Sequence, residues 1–306
     1  MNKYDYYTSG WSRKELITAK KRIVIKVGTT TVTYPETGYI NLEKLEKFVR
    51  ILINLRNQGR EVVVVSSGAV GVGRTALGMA KRPRTLEEEQ ACAAVGQSRL
   101  MMIYEKLFNE YSQLTAQILL TKESISNAEC RNNAKRTFDS LLSMGVVPIV
   151  NENDAISVDE LSYGKFGDND TLAAHVTDLV EGDLLILLSD IHGFYTDDPK
   201  LNPKARFIHT VSRIDENLEQ MAKGVSSDMG TGGMWSKIQA AKIVTAAKAD
   251  MIIANGENIY AINDIMAGKR IGTFFLSDEH QEILENELAP DRPEFRRKSK
   301  RRKRDE

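Results

Sequence analysis

The sequence predicts an α/β protein: a three-layer αβα sandwich with a central, mostly parallel sheet. Short apolar runs alternate with stretches whose apolar residues recur at helical spacing, the order expected when crossover helices cover both faces of a sheet. Two of the runs, EVVVVSSG (61–68) and LLILLSD (184–190), are apolar at consecutive positions, as in strands buried on both faces.

The elements follow in order. KRIVIKVG (21–28) reads as a strand ending in glycine. In NLEKLEKFVRILINLRNQG (41–59), Leu42, Leu45, Phe48, Val49, Leu52 and Leu55 fall at helical spacing, and Gly59 stops the helix. After the strand in 61–68, Thr85 and Glu88 form a predicted capping box for a long helix reaching about Tyr111. TAQILLT (115–121) is the next strand. A helix over 128–144 stops at Gly145 and leads into VVPIVNEND (146–154). A helix near 168–181 leads into LLILLSD, a helix over 234–248 into MIIANGE (251–257), and IGTFFL (271–276) is the last strand. The expected division is an N-terminal extension (1–19), one folded domain (20–277) and a C-terminal segment (278–306).

A chain of 306 residues, 42% of them apolar, can bury a sizeable core and is not a disordered chain. No apolar run approaches the ~20 residues of a membrane helix, and the start MNKYDYYTSGWSRKE has no hydrophobic signal core. Two cysteines, Cys92 and Cys130, suit a reducing cytoplasm rather than a disulfide framework or a zinc site. Net charge is zero but unevenly spread: RRKSKRRKRDE (296–306) holds eight basic and two acidic residues. Such a block reads as a disordered tail, with contact to a polyanion as the sharper alternative. The rest of the chain has no basic stripe to support binding of nucleic acid.

In a doubly wound sheet, ligands bind beyond the carboxyl ends of the strands. Those ends carry Gly28-Thr29-Thr30-Thr31, Ser66-Ser67-Gly68-Ala69, Asn151-Glu152-Asn153-Asp154 and Ser189-Asp190. Ordinary turns would place such residues there too, but Lys26 is different. A lysine inside Ile23-Val24-Ile25-Lys26-Val27 is costly to bury without an anionic partner, which is either a buried salt bridge or a ligand's charge. The Gly28 and Gly68 turns offer backbone N–H groups to a phosphate or carboxylate. The Asn151–Asp154 cluster has the opposite character and suits an ammonium or a metal. GDND (167–170) repeats that character, although Asp168 or Asn169 equally suits a helix N-cap.

Other patterns fail. In MGTGGMWSK (229–237), three residues separate Gly233 from Lys237 and Ile238 follows the lysine, so the P-loop pattern is not met. Gly71-Val72-Gly73-Arg74-Thr75-Ala76 matches a dinucleotide fingerprint but starts too late after its strand and lacks the following acid. Ser66-Ser67-Gly68 lacks the nucleophile-elbow pattern. His175, His192, His209 and His280 show no metal-ligand spacing, and no metal-ligating residue is expected.

Taken together and in order, IVIKVGTT (23–30), VVVSSGAVGVG (63–73), AAVGQSRLM (93–101), VVPIVNENDA (146–155), FGDND (166–170), LLSDIHGFYTDDP (187–199) and GTGGMWSK (230–237) resemble the amino acid kinase family. Within it they are most similar to the branch that phosphorylates L-glutamate, over about residues 20 to 276. The resemblance implies the sandwich fold and transfer of the γ-phosphoryl group of ATP, with Mg²⁺, to the side-chain carboxylate of L-glutamate, as in the first step of proline synthesis. It implies that Lys26 and Lys237 flank the transferring group and that Asp170 orients them. It places ATP phosphates on Gly28 and Thr29. Ser189 and Asp190 would open the nucleotide site, and Thr231, Gly232, Gly233, Met234, Trp235, Ser236 and Lys237 would close it. Glutamate would meet Ser67, Gly68, Asn151, Asp154 and Asn169. The resemblance also implies feedback inhibition by proline through the 155–168 region, and a homo-oligomer, dimer or tetramer.

The chemistry agrees with these implied roles. The acceptor carboxylate is already ionised at neutral pH, so no general base is needed. Catalysis becomes positioning and charge neutralisation. Acceptors in Asn151–Asp154 favour a free α-ammonium over the neutral amide of N-acetylglutamate, and Ser67 with the Gly68 amide would meet the α-carboxylate. Three features depart from the family pattern. Trp235 is bulky for its loop, Ser189 stands where threonine is common, and no C-terminal PUA domain, common in bacterial members, is expected after 276. The competing readings are a family member acting on N-acetylglutamate or aspartate, and a regulatory protein without activity on the same fold.

Overall fold

The structure, a computed structural model, describes residues 13–34, 36–157, 168–197, 201–224 and 233–281. The first half runs α1 (Arg13–Thr18), β1 (Arg22–Val27), the single-turn α2 (Thr29–Val32), α3 (Leu42–Asn57), β2 (Glu61–Ser66), α4 (Ala69–Ala76), α5 (Leu86–Asn109), β3 (Thr115–Leu120), α6 (Lys122–Ser126), α7 (Ala128–Ser143) and β4 (Val147–Glu152). The second half runs α8 (Asn169–Leu179), β5 (Leu184–Ser189), β6 (Phe194–Tyr195), β7 (Phe207–Ile208), β8 (Thr210–Val211), α9 (Glu216–Gly224), α10 (Met234–Ala246), β9 (Asp250–Asn255), α11 (Ala261–Met266) and β10 (Thr273–Phe275).

Among the described residues, eight strands form one sheet in the order β3-β4-β2-β1-β5-β9-β10-β8. Neighbours from β3 to β9 pair in parallel, and β10 joins β9 antiparallel. The predicted mostly parallel sandwich is what forms, with the reversal at one side. β6 and β7 make a separate antiparallel ribbon.

Side-chain alternation divides the core into two layers. From β1, β2 and β5, Ile23, Ile25, Val27, Val62, Val64, Leu184, Ile186 and Leu188 pack with apolar residues of α3, α5 and α11. Val24, Val63, Val65, Leu185 and Leu187 pack on the opposite face with α7, α8 and α10. Burying one Val or Leu side chain contributes roughly 1.5–3 kcal/mol. Lys26 falls on Val24's side of the sheet by the strand's alternation, so it gives up such a contribution and needs an ionic partner in the α8–α10 layer.

Helix starts follow the capping residues. Asn41 accepts from Lys44 N at 3.0 Å, and Asp168 accepts from Thr171 N at 2.9 Å. Thr85 accepts from Glu88 N at 3.3 Å, but the Glu88 carboxylate takes Arg84 N at 2.8 Å rather than Thr85 N. Half of the predicted capping box therefore forms, and the reciprocal bond lands one residue earlier. The glycines of VVVSSGAVGVG serve packing. A Cβ on Gly73 would sit 1.8 Å from the Cys92 carbonyl oxygen, and one on Gly96 1.7 Å from that of Ala69. The backbones of α4 and α5 thus touch, and the dinucleotide-like pattern lies inside a short helix. No helix of the described residues is long and apolar enough to cross a membrane.

Candidate active site

β1 sits between β2 and β5 in the sheet, and the chain builds β2 to β4 on one side of it before crossing to β5 on the other, a topological switch point. A cleft of about 390 Å³ opens beyond the carboxyl ends of these strands. Lys26, Gly28, Thr29, Ser67, Gly68, Asn151, Asp154, Asn169, Asp170, Ser189, Asp190 and Lys237 all line it. Residues from β1, β2, β4, α8, β5 and α10 therefore converge on one space, as the strand-end reasoning expects. None of His175, His192, His209 and His280 is on its wall.

An ion-pair triad forms one side of the cleft. Asp170, the second residue of α8, is 1% exposed. Its Oδ1 lies 2.6 Å from Lys26 Nζ and its Oδ2 3.1 Å from Lys237 Nζ. Burial pushes the Asp170 carboxyl up, but Lys26 and then Lys237 outweigh it and hold the group below its ordinary value. The carboxylate stays ionised, and its two oxygens separate and aim two ammonium groups. The partner that Lys26 requires is thus a protein carboxylate, placed at a ligand-sized cleft.

Next to the triad lies a hydrogen-bonded network of neutral side chains. Asn169 Nδ2 donates to Ser67 Oγ at 2.7 Å, to Asn151 Oδ1 at 3.1 Å and to Ser66 O at 3.3 Å. Ser67 N is fixed by Val27 O at 3.1 Å. Gly68 turns the chain into α4 with φ +105°, a left-handed conformation that L side chains rarely adopt. Beneath Ser67, Ser66 Oγ bonds the fully buried Tyr104 hydroxyl at 3.0 Å, and burial pushes that phenol well above its ordinary value. Ser189 Oγ donates to Asp190 Oδ1 at 2.9 Å at the β5 end.

Only the end of the glycine loop is described. Thr231 and Gly232 lie outside the described residues. Gly233 caps α10, and Ser236 Oγ donates back to its carbonyl at 2.8 Å. Among the described residues, Lys237 lines the cleft while Gly233, Met234, Trp235 and Ser236 do not. Met234 and Trp235 pack against the apolar layer beside α8 and α10. Helical phase gives the reason: Trp235 precedes Lys237 by two residues, roughly 200° around the helix.

Two residues outside the expected site belong to its wall or support. Asp168, read either as a cap or as part of an acceptor cluster, caps α8 and also lines the cleft, and its Oδ2 is buried without a hydrogen-bond partner. Gln97 of α5 accepts a hydrogen bond from Asn151 Nδ2 at 3.0 Å. The signal for Gln97 was present in the sequence as a lone amide among the core-facing positions Ala93, Leu100 and Tyr104. Among the described residues no group of three or more His, Cys, Asp or Glu converges as a metal site would.

Known proteins resemble this chain over most of its length. Residues 21–255 match the amino acid kinase family. The chain is 51% identical over 258 residues to a protein of Clostridium perfringens named glutamate 5-kinase, covering 84% of this chain and 96% of that one. It is 49% identical over 262 residues to the Enterococcus faecalis protein of the same name, with 85% and 96% covered. The Carboxydothermus hydrogenoformans protein, also named glutamate 5-kinase, is 49% identical over 263 residues, which are 86% of this chain and 69% of its own. Among solved structures, carbamate kinase from Giardia lamblia bound to AMP-PNP superposes with a TM-score of 0.58 at 16% identity, over 85% of this chain and 100% of that one. UMP kinase from Bacillus anthracis does so with a TM-score of 0.55 at 15% identity, over 85% and 97%. These two likenesses concern the fold alone.

Proposed function

The chain belongs to the amino acid kinase family, and we infer that it transfers the γ-phosphoryl group of ATP to the side-chain carboxylate of L-glutamate, giving L-glutamyl 5-phosphate. The observation that carries the mechanism is the Asp170 carboxylate bridging Lys26 and Lys237 in the cleft that the Ser67–Asn169–Asn151 network also lines. The reaction brings an anionic acceptor to an anionic donor. The acceptor is ionised at neutral pH, so no proton has to be removed before attack. The barrier is then lowered by fixed positive charge placed where the transition state spreads negative charge.

Lys26 and Lys237 supply that charge. Asp170 holds both ammonium groups in place before substrate arrives, so little reorganisation is left for the reaction step. Gly28 and Thr29, with Ser189 and Asp190, form the nucleotide end. Ser67 and the Gly68 amide receive the α-carboxylate of glutamate. Asn151, Asp154 and Asn169 supply acceptors for its α-ammonium, which favours the free amino acid over an N-acylated one.

Mg²⁺ fits this wall. It commonly binds through one or two carboxylates together with substrate phosphates. Asp168, whose Oδ2 is buried at the cleft without a protein partner, is the carboxylate that would hold it. Its chemistry would be neutralisation of phosphate charge. A cytoplasmic setting, a homo-oligomer and inhibition by proline belong to the same reading on the strength of the family resemblance. Most of the 155–168 region expected to answer proline lies outside the described residues.

ADP release measured with ATP, Mg²⁺ and a panel of L-glutamate, N-acetylglutamate and L-aspartate tests the reading. Turnover with glutamate above the other acceptors is expected. Turnover with N-acetylglutamate or aspartate in place of glutamate overturns the substrate, and turnover with none of them favours the regulatory alternative.

A further inference from the structure

We propose that Gln97 is a positioning residue for the substrate end of the cleft. Its side-chain carbonyl satisfies the Asn151 Nδ2 donor and so holds Asn151 in place beside Asn169 and Ser67. The proposal rests on glutamate being the substrate bound there.

Gln97 is 8% exposed and occupies the buried face of α5 between Ala93 and Leu100. A buried amide on an apolar face is costly unless it is hydrogen-bonded. The preceding residue, Gly96, brings α5 into backbone contact with α4, and this seats Gln97 beside the end of β4. There Gln97 Oε1 accepts from Asn151 Nδ2 at 3.0 Å. Asn151, 3% exposed, accepts in turn from Asn169 Nδ2 at 3.1 Å, and Asn169 Nδ2 also donates to Ser67 Oγ at 2.7 Å.

The chain of bonds has a direction. If the Asn151 amide were reversed, its Oδ1 would face Gln97 Oε1 and its Nδ2 would face Asn169 Nδ2. Two acceptors and two donors would then meet in a buried space, where unpaired groups cost most. The Ser66 carbonyl, which can only accept, makes Asn169 Nδ2 the donor, so Asn151 turns Oδ1 to Asn169 and Nδ2 to Gln97, whose carbonyl holds it there. With Nδ2 so placed, Asn169 also donates to Ser67 Oγ, which leaves the Ser67 hydroxyl hydrogen available for a ligand carboxylate. Gln97 does not line the substrate cleft. It lines an adjoining cleft of about 430 Å³, so it acts on substrate through Asn151.

The test compares Gln97→Met, nearly the same shape without the carbonyl, with Gln97→Glu, which keeps an acceptor oxygen. KM for glutamate and KM for ATP are measured beside the melting temperature. The expected result for Q97M is a KM for glutamate raised about ten-fold, the worth of one buried hydrogen bond, with KM for ATP nearly unchanged and Q97E closer to wild type. An unchanged KM for glutamate in Q97M overturns the proposal. So does a parallel rise in both KM values, which marks a packing role, or a Q97E as impaired as Q97M. If Q97M is insoluble, Gln97→Asn, which withdraws the carbonyl from Asn151, must show the same split. A wild-type protein that does not phosphorylate glutamate overturns the functional reading instead. The relay is then tested by equilibrium binding of glutamate to wild type and Q97M, where equal affinity counts against it.

Discussion

Asp170→Asn changes the charge at the centre of the triad and little of its shape. In the wild type, Lys26 Nζ and Lys237 Nζ lie 2.6 Å and 3.1 Å from the two carboxylate oxygens. At an effective dielectric constant of ~20, charges at those separations attract by roughly 6 and 5 kcal/mol before desolvation. Burying three charged groups takes back several kcal/mol each, and removing one partner of a buried pair typically costs about 3–5 kcal/mol of stability. The sign of the pH dependence follows from the depressed Asp170 pKa. The contribution is fully present above the unfolded-state value of ~3.9 and is lost as pH falls through the lower folded value. Urea unfolding of wild type and D170N should therefore differ most at neutral pH and converge in acid. Without the carboxylate, the two ammonium groups repel each other. A displacement of ~1 Å at a reacting centre costs about 100-fold in rate, so kcat should fall at least that far in a steady-state ADP-release assay. A folded D170N with near-wild-type kcat refutes the triad as the catalytic device.

Other outcomes follow from the same geometry. Lys237→Ala should lower kcat by about 10²–10³-fold with the circular dichroism spectrum unchanged, as for loss of one charge-stabilising donor, and near-normal turnover excludes Lys237 from the transition state. Gly96→Ala sets a methyl group 1.7 Å from the Ala69 carbonyl oxygen. Because that neighbour is backbone, the overpacking should cost about 3 kcal/mol or more, and a wild-type melting temperature contradicts the backbone contact. At the opposite end of the sheet, buried Asp250 accepts from Lys20 at 2.6 Å, His280 Nδ1 at 2.9 Å and Ser277 N at 2.8 Å. Burial pushes its carboxyl up, but the His280 hydrogen bond and Lys20 bring it below its ordinary value. Asp250→Asn should therefore cost about 3–5 kcal/mol at neutral pH without changing either KM. The deficit should shrink as pH falls below ~4, and one that grows on acidification contradicts the sign.

Much of the fold was legible because apolar periodicity is a local property. α3, α5 and α7 fall where their spacing and caps place them, and Lys26 announced itself as a charge in an apolar strand. What it pairs with was not local: Asp170 lies on another element, and only the family resemblance linked them in sequence. α4 was illegible for a related reason. Gly71 and Gly73 are poor helix formers, and the helix persists there because Gly73 and Gly96 let two backbones touch. The reversal at β10 is equally non-local, since IGTFFL suits a strand of either direction. The helical phase of Trp235 relative to Lys237 was also legible, and it turns the indole toward the apolar layer. Gln97 was visible as a lone amide on a buried helix face, but its role depends on Asn151, 54 residues away.

A structure with L-glutamate and a non-hydrolysable ATP analogue bound tests the central claim most directly. The γ-phosphoryl group should lie within hydrogen-bond reach, ~3 Å, of both Lys26 Nζ and Lys237 Nζ. The glutamate side-chain carboxylate should face that group, with the α-ammonium at the Asn151–Asp154 acceptors. A nucleotide seated away from the two lysines, or glutamate with its α-carboxylate turned toward them, contradicts the account.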